Sequence, residues 1–96
     1  MNIAVTTNGT TTTFALDGWL DTNTAPELST ELNKLDPNCE RLILDCTELE
    51  YISSAGLRVL VTAHKKMSGN VAITHVSPEV MQVFKMAGLS KRINIS

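Results

Sequence analysis

The stretch that most constrains the fold of this chain is an apolar run at residues 42–44, followed by Ser53, Ser54 and a helical pattern. The run is apolar on both strand faces, which is typical of a strand covered on both sides. Asp45 and Thr47 are short polar residues that suit a turn, so we expect a polar crossing loop after the strand. Ser53 or Ser54 stands where the N-cap of the next helix belongs. A hydroxyl at a helix N-terminus faces free N–H groups and the positive end of the helix dipole, which is a good place to hold a phosphate.

The flanking segments predict alternating strands and helices. Alternation at residues 3–16 around Asn8-Gly9 predicts an antiparallel strand pair, which Asp17-Gly18 is expected to bend or bulge. Thr24 and Glu27 have the spacing of a capping box that opens a first helix. After the central stretch come a strand at 71–76, a helix and a short last strand. This order predicts an α/β fold with a mixed, largely parallel sheet packed against helices.

Two helices are predicted to present definite faces to the sheet. The helix at about 55–67 should turn a stripe of apolar residues inward, namely Leu57, Leu60 and Val61, with His64 on the same stripe. The last helix should begin at Ser77 as N-cap, end before Gly88, and bury Val80, Val83, Phe84 and Ala87. Trp19 is expected to be partly buried at a sheet edge, with a partner-anchoring role as the alternative.

Length and charge limit the classes of function. The 96 residues suit one domain spanning 1–96, and the net charge of −2 gives no basic field, so direct nucleic-acid binding is not expected. No apolar run approaches the roughly 20 residues of a membrane span, and the N-terminus lacks the regions of a signal peptide. The sequence therefore predicts a cytoplasmic protein without membrane insertion. Cys39 and Cys46 are predicted to be free thiols.

The residue inventory argues against an enzyme. The sequence has no phosphate-binding Gly-x-x-x-x-Gly-Lys loop, no Gly-x-Gly-x-x-Gly fingerprint and no His/Cys cluster for a metal. The residue types of a Ser-His-Asp catalytic triad are present in Ser54, His64 and Asp21. They are not expected to form one, because His64 lies more than two helical turns beyond Ser54. We therefore predict a protein that is not an enzyme and needs no cofactor.

Asp45 together with residues 52–57, Ile-Ser-Ser-Ala-Gly-Leu, resembles the signature of the STAS domain, the fold of bacterial anti-sigma factor antagonists. Gly18-Trp19-Leu20-Asp21 and the following Thr-Ala-Pro-Glu-Leu segment resemble the family's earlier motif and first helix. The resemblance implies that Ser54 is the serine phosphorylated by a partner kinase. Ser53 stands where the family often has Asp, so Ser53 is the alternative phosphorylation site.

The resemblance also implies a mechanism and its partners. The unphosphorylated protein would bind an anti-sigma factor with serine kinase activity and free its sigma factor, phosphorylation would end that binding, and a phosphatase would restore it. The residues expected to contact the partner are Asp21, Thr22, Ser53, Ala55, Arg58, Val59 and Thr62. The alternative is a non-catalytic adaptor subunit of a lipid-transport ATPase or a stress-sensing complex.

Overall fold

The computed structural model describes residues 1–96 and contains five strands and three α-helices. The strands are β1 (Asn2–Asn8), β2 (Thr11–Leu20), β3 (Arg41–Ile52), β4 (Val71–Thr74) and β5 (Asn94–Ile95). The helices are α1 (Ala25–Asn33), α2 (Ser54–Lys66) and α3 (Pro78–Met86), and a 3-10 turn at Leu89–Lys91 leads into β5. No helix combines the length and the apolarity that crossing a bilayer requires.

The strands form one mixed sheet whose spatial order follows the chain, from β1 to β5. β1 and β2 pair antiparallel, and Gly9 takes a left-handed conformation (φ +63°) in the turn between them. The remaining pairs are all parallel. Both the opening antiparallel pair and the mixed, largely parallel sheet predicted from the sequence are confirmed.

The core lies between one face of the sheet and the helices. Inward-pointing residues of the sheet, such as Phe14 and Leu44, meet Leu28, Leu60 and Phe84 from the three helices, and each is at most 1% exposed. The intervening positions of the central strand β3 are half-buried or exposed, and Ile43 is half-buried. The expectation that the central strand is covered on both sides is therefore wrong. Because strand order follows chain order, crossovers of one hand leave all helices on the same face.

β3 is longer than predicted, because it continues through the polar residues that were expected to form a loop. Leu20 of β2 still pairs with Ile52. The pairing shifts twice, between Ala15 and Asp17 and again between Gly18 and Trp19, and each time β3 has one residue more than β2. The irregularity is therefore where the sequence predicted a bulge, but the extra residues lie in β3.

The buried stripe of α2 also differs from the predicted one. Gly56, Leu60, Ala63 and Met67 face the core, while Leu57, Val61 and His64 are only half-buried. The physical reason is the close approach of Gly56 to β2 and β3. A Cβ atom at this position would lie 2.8 Å from the Leu20 Cγ atom and 2.9 Å from both the Ile52 Cγ1 atom and the Leu20 carbonyl oxygen. Glycine lets the helix rotate this edge inward.

α3 begins and ends as predicted but buries less. The Ser77 hydroxyl accepts a hydrogen bond from the Val80 amide at 3.3 Å, and Gly88 takes the left-handed conformation that follows a helix end (φ +74°). Val80 and Phe84 are buried, as expected. Ala87 is exposed, so its predicted burial is wrong. The chain leaves the helix there and turns through Leu89, which takes the inward position instead.

Candidate functional site

The carboxyl ends of β2 and β3 bring the two sequence motifs together. The Ser53 amide donates a hydrogen bond to the Leu20 carbonyl at 2.9 Å, so the loop that begins at Asp21 starts beside the N-terminus of α2. Neighbouring parallel strands end at the same edge of a sheet, and ligand and partner sites of α/β folds gather at that edge. The candidate site is this edge, made by the Asp21 loop and the start of α2.

Ser53 and Ser54 have different roles in the structure. Ser53 is the N-cap of α2, with an extended backbone and a hydroxyl that accepts a hydrogen bond from the Gly56 amide at 3.4 Å. Its carbonyl accepts the first helical bond, from the Leu57 amide at 2.9 Å. Ser54 is the first helical residue, exposed, and its hydroxyl makes no hydrogen bond within the chain. The choice between two N-caps left open by the sequence is therefore decided for Ser53.

We expect Ser53→Ala to lower the free energy of unfolding by about 1 kcal/mol, because the Gly56 amide loses its acceptor. Ser54→Ala should change this free energy little, since no bond of the Ser54 hydroxyl is lost. Urea denaturation of the two variants beside wild type checks the pair. Equal losses in both variants would contradict the assignment of the cap.

Asp21 organises the loop that faces this helix. One of its carboxylate oxygens accepts hydrogen bonds from the Asn23 amide at 2.9 Å and the Thr24 amide at 3.1 Å, and the Thr24 hydroxyl lies 3.1 Å from the same oxygen. That hydroxyl donates to the Trp19 carbonyl at 2.6 Å and makes no cap bond to α1. The predicted capping box is therefore wrong. The Thr24 side chain reaches back to β2, and Asp21 accepts from the amides that precede the helix.

These bonds hold the pKa of Asp21 below its usual value near 3.8, with the Thr24 amide as the largest cause. The pKa of Asp45 is also lowered, mainly by a 2.6 Å bond from the Thr47 hydroxyl and further by His75, whose Nδ1 atom lies 3.2 Å from the carboxylate. In both cases the ionised form is favoured in the folded protein. Neither carboxyl is available as a proton donor near neutral pH.

The pH dependence of stability follows from these two shifts. A carboxyl whose pKa is lower in the folded state contributes stability above its unfolded pKa, and this contribution is lost as pH falls through the folded pKa. We expect the urea concentration at the unfolding midpoint to decrease as the pH is lowered below about 4. Asp21→Asn and Asp45→Asn should each make this decrease shallower. Carboxyl chemical shifts followed by NMR would identify the groups directly. Titration of both carboxyls above the usual Asp value would contradict the expectation.

The predicted phosphorylation site and the predicted partner residues lie in two settings. Ser54, Thr22, Arg58 and Thr62 are exposed, and the last two continue along α2 from the candidate site. Asp21 and Ser53 are half-buried and hold the loop and the cap just described. Ala55 and Val59 are also half-buried, and they pack against the hydrophobic core. The surface that these residues offer is consequently more polar than the sequence suggested.

An aromatic pair beside the site was not predicted. Trp19 and Tyr51 are neighbours across β2 and β3, with ring centroids 5.1 Å apart and planes inclined by 40°. Trp19 is 56% exposed and Tyr51 is 44% exposed. The sequence did carry a signal for the pair, because each aromatic residue stands two positions before the first residue after its strand, Asp21 or Ser53. Aligning the strand ends would have placed the rings together.

The other groups singled out for chemistry lie apart. His64 is ten residues beyond Ser54, which places it about 15 Å along the axis of α2. Cys39 and Cys46 are both free thiols. Burial raises the pKa of the Cys46 thiol to about 12, so this sulfur stays protonated and unreactive. What the site offers chemically is the exposed Ser54 hydroxyl at the start of a helix.

Comparison with known proteins identifies sequence relatives of this chain. A family model described as STAS domain matches residues 2–96. A protein of Bordetella bronchiseptica assigned as the anti-sigma factor antagonist BtrV is 35% identical over 77 residues, which cover 76% of this chain and 66% of that protein. The match thus spans just under two thirds of the relative's length.

Solved structures share the fold at low sequence identity. An anti-sigma factor antagonist from Mycobacterium paratuberculosis superposes with a TM-score of 0.88 at 20% identity, covering 98% of this chain and 83% of that one. The Bacillus cell fate determinant SpoIIAA in its phosphorylated form superposes with a TM-score of 0.68 at 17% identity, covering 99% and 91%. These likenesses establish the fold, including its α/β class and mixed sheet.

Proposed function

This chain belongs to the STAS domain family, and from that premise we propose that it is an anti-sigma factor antagonist switched by phosphorylation of Ser54. The unphosphorylated protein binds an anti-sigma factor that has serine kinase activity, and the sigma factor is released. Phosphorylation of Ser54 ends this binding, and a phosphatase restores it. The observation that carries the proposal is the Ser54 hydroxyl, which is exposed and unbonded at the junction of the two motifs.

The two serines are not equivalent as kinase substrates. The Ser53 hydroxyl is half-buried and caps α2, so modifying it would remove a bond of the helix. Modifying Ser54 removes no bond of the folded chain. A kinase can therefore reach Ser54 without opening the structure, which supports Ser54 over Ser53 as the modified residue.

A phosphate on Ser54 should be tolerated by the domain itself. The group adds about −1.5 to −2 charges beside the N-terminus of α2, where free N–H groups and the helix dipole favour a negative charge. Arg58 lies four residues further along the same helix, at the spacing where side chains meet, and it is exposed. The phosphate can pair with this guanidinium. A partner docked on the same surface would instead meet new bulk, charge and a bound hydration shell.

In this mechanism the chain supplies a hydroxyl and a docking surface, and all catalysis belongs to its partners. The kinase contributes the nucleotide, its metal ion and the base that accepts the serine proton. The existence of a STAS-fold protein in a phosphorylated form supports the view that this fold accommodates the modification.

The experiment is affinity capture from a lysate of the source cell, with wild type, Ser54→Ala and Ser54→Asp as baits and mass spectrometry as readout. We expect wild type and Ser54→Ala to recover one ATP-binding protein of the kinase-like anti-sigma class, and Ser54→Asp to lose it. Equal recovery of one partner by all three baits would contradict the proposal that phosphorylation of Ser54 controls binding. Recovery of a transport ATPase subunit instead would establish the adaptor function.

A further inference from the structure

A groove beside the candidate site combines an apolar floor with a basic rim. It lies between α2 and the 3-10 turn that follows α3, and its volume is about 500 Å³. Leu57, Val61 and Leu89 contribute to the floor, and Arg58, Lys65 and Arg92 stand around it. The floor exists because α2 turns its glycine edge, not Leu57 and Val61, toward the sheet.

The groove is positively charged, although the whole chain carries a net negative charge. The protein has ten acidic and eight basic residues, yet three of the eight basic residues line this one groove and no carboxylate does. None of the three takes part in an ion pair, since the two pairs in the structure are Glu31–Lys34 and Asp45–His75. The groove therefore presents three uncompensated positive charges around an apolar floor that is only partly buried, since Leu57 and Val61 are half-exposed.

We infer that this groove binds an amphipathic helix of a protein partner, with apolar side chains on the floor and Asp or Glu residues along both flanks. Arg58 and Lys65 are seven residues apart, which spans about 10 Å or two helical turns. A helix lying along this length would present anchors at the i, i+3 or i+4, and i+7 positions. Its flanking carboxylates would meet the basic rim, as charge complementarity requires.

The groove is continuous with the surface of the proposed function, because Arg58 belongs to both. The inference rests on that function for the identity of the partner, namely the anti-sigma factor. The inference also links phosphorylation of Ser54 to binding in the groove, because both involve Arg58. A phosphate on Ser54 that pairs with Arg58 withdraws one of the three rim charges from the helix in the groove.

The chemistry of the groove can be tested on the full chain without the partner. The probe is a fluorescein-labelled synthetic amphipathic helix of about 18 residues with Leu on one face and Glu on the flanks, beside a twin with Lys in place of Glu. Fluorescence anisotropy should show binding of the Glu helix and little binding of the Lys helix. Lys65→Glu should weaken the Glu helix roughly three- to tenfold.

Lys66→Glu is the matched control, because Lys66 neighbours Lys65 on α2, is also exposed and does not line the groove. Equal effects of the two substitutions, or equal binding of the two helices, would overturn the inference. Binding to phosphatidylglycerol vesicles that disappears in Lys65→Glu but persists in Lys66→Glu would overturn it too, in favour of a lipid surface. The capture experiment with Ser54 variants is independent, so the proposed function can survive the failure of the groove.

Discussion

Gly56→Val should lower the free energy of unfolding by about 3 kcal/mol or more, at the upper end of the range for overpacked cores. The first atom beyond Cα would already lie 2.8–2.9 Å from two side chains and from the Leu20 carbonyl oxygen. The carbonyl belongs to the backbone of β2 and cannot move without disturbing the sheet. The branched side chain adds two further methyl groups to the same space.

Gly56→Ala shows how far the steric cost of a Cβ atom at this position is offset by a better helix propensity. Alanine favours a helix over glycine by about 1 kcal/mol, which opposes an overpacking cost of about 1–3 kcal/mol. A smaller net loss than for valine is expected. Arg58→Val is the control for introducing a β-branched residue, because Arg58 is exposed in the same helix and takes part in no ion pair. Urea denaturation decides the matter, and a Gly56→Val protein as stable as the control would show that α2 does not approach β2 this closely.

Ser54→Asp should weaken binding to the anti-sigma partner by roughly 30-fold or more, because a charge buried against a docked surface costs about 2 kcal/mol or more. Ser54→Ala should bind within about twofold of wild type, since the substitution adds no charge and the Ser54 hydroxyl makes no hydrogen bond within the chain that positions the docking surface. Isothermal titration with the partner recovered by affinity capture measures both affinities.

Ser68→Asp is the matched control for the added charge, because Ser68 is exposed just beyond the opposite end of α2. It should leave the affinity near that of wild type. An equal loss in Ser68→Asp and Ser54→Asp would mean that net charge, not the position of Ser54, controls the association. Circular dichroism of all three variants would establish that each remains folded.

Local signals in the sequence predicted the parts of the fold that depend on neighbouring residues. The hairpin at Asn8-Gly9, the Ser77 cap and the Gly88 helix end are each set by a few adjacent residues, and each is confirmed. The juxtaposition of Asp21 with Ser53 follows from the order of elements, because β2 and β3 are parallel neighbours. Pattern alone was sufficient for the hairpin, the cap and the helix end, whereas the resemblance to the STAS family implied that Asp21 shares a surface with the serines.

Other features depend on contacts between distant segments and could not be predicted. β3 was expected to end near Asp45 because Asp45 and Thr47 are short polar residues that suit a turn. The strand continues instead, and its two irregularities opposite β2 let Leu49 and Ile52 both face the core. The stripe of α2 was chosen by hydrophobicity, whereas a close approach at Gly56 sets the rotation of the helix. Thr24 was assigned a cap bond, but its hydroxyl accepts a hydrogen bond from the Asp21 amide at 2.9 Å and donates to the Trp19 carbonyl instead.

The central claim is tested most directly by comparing the phosphorylated protein with the same sample after phosphatase treatment. The phosphate would be mapped by mass spectrometry, and the affinity of both forms for the anti-sigma partner would be measured by titration. The mechanism predicts a phosphate on Ser54, an affinity lower by roughly 30-fold or more, and full recovery after its removal. A phosphate on another residue, or equal affinities of the two forms, would contradict it.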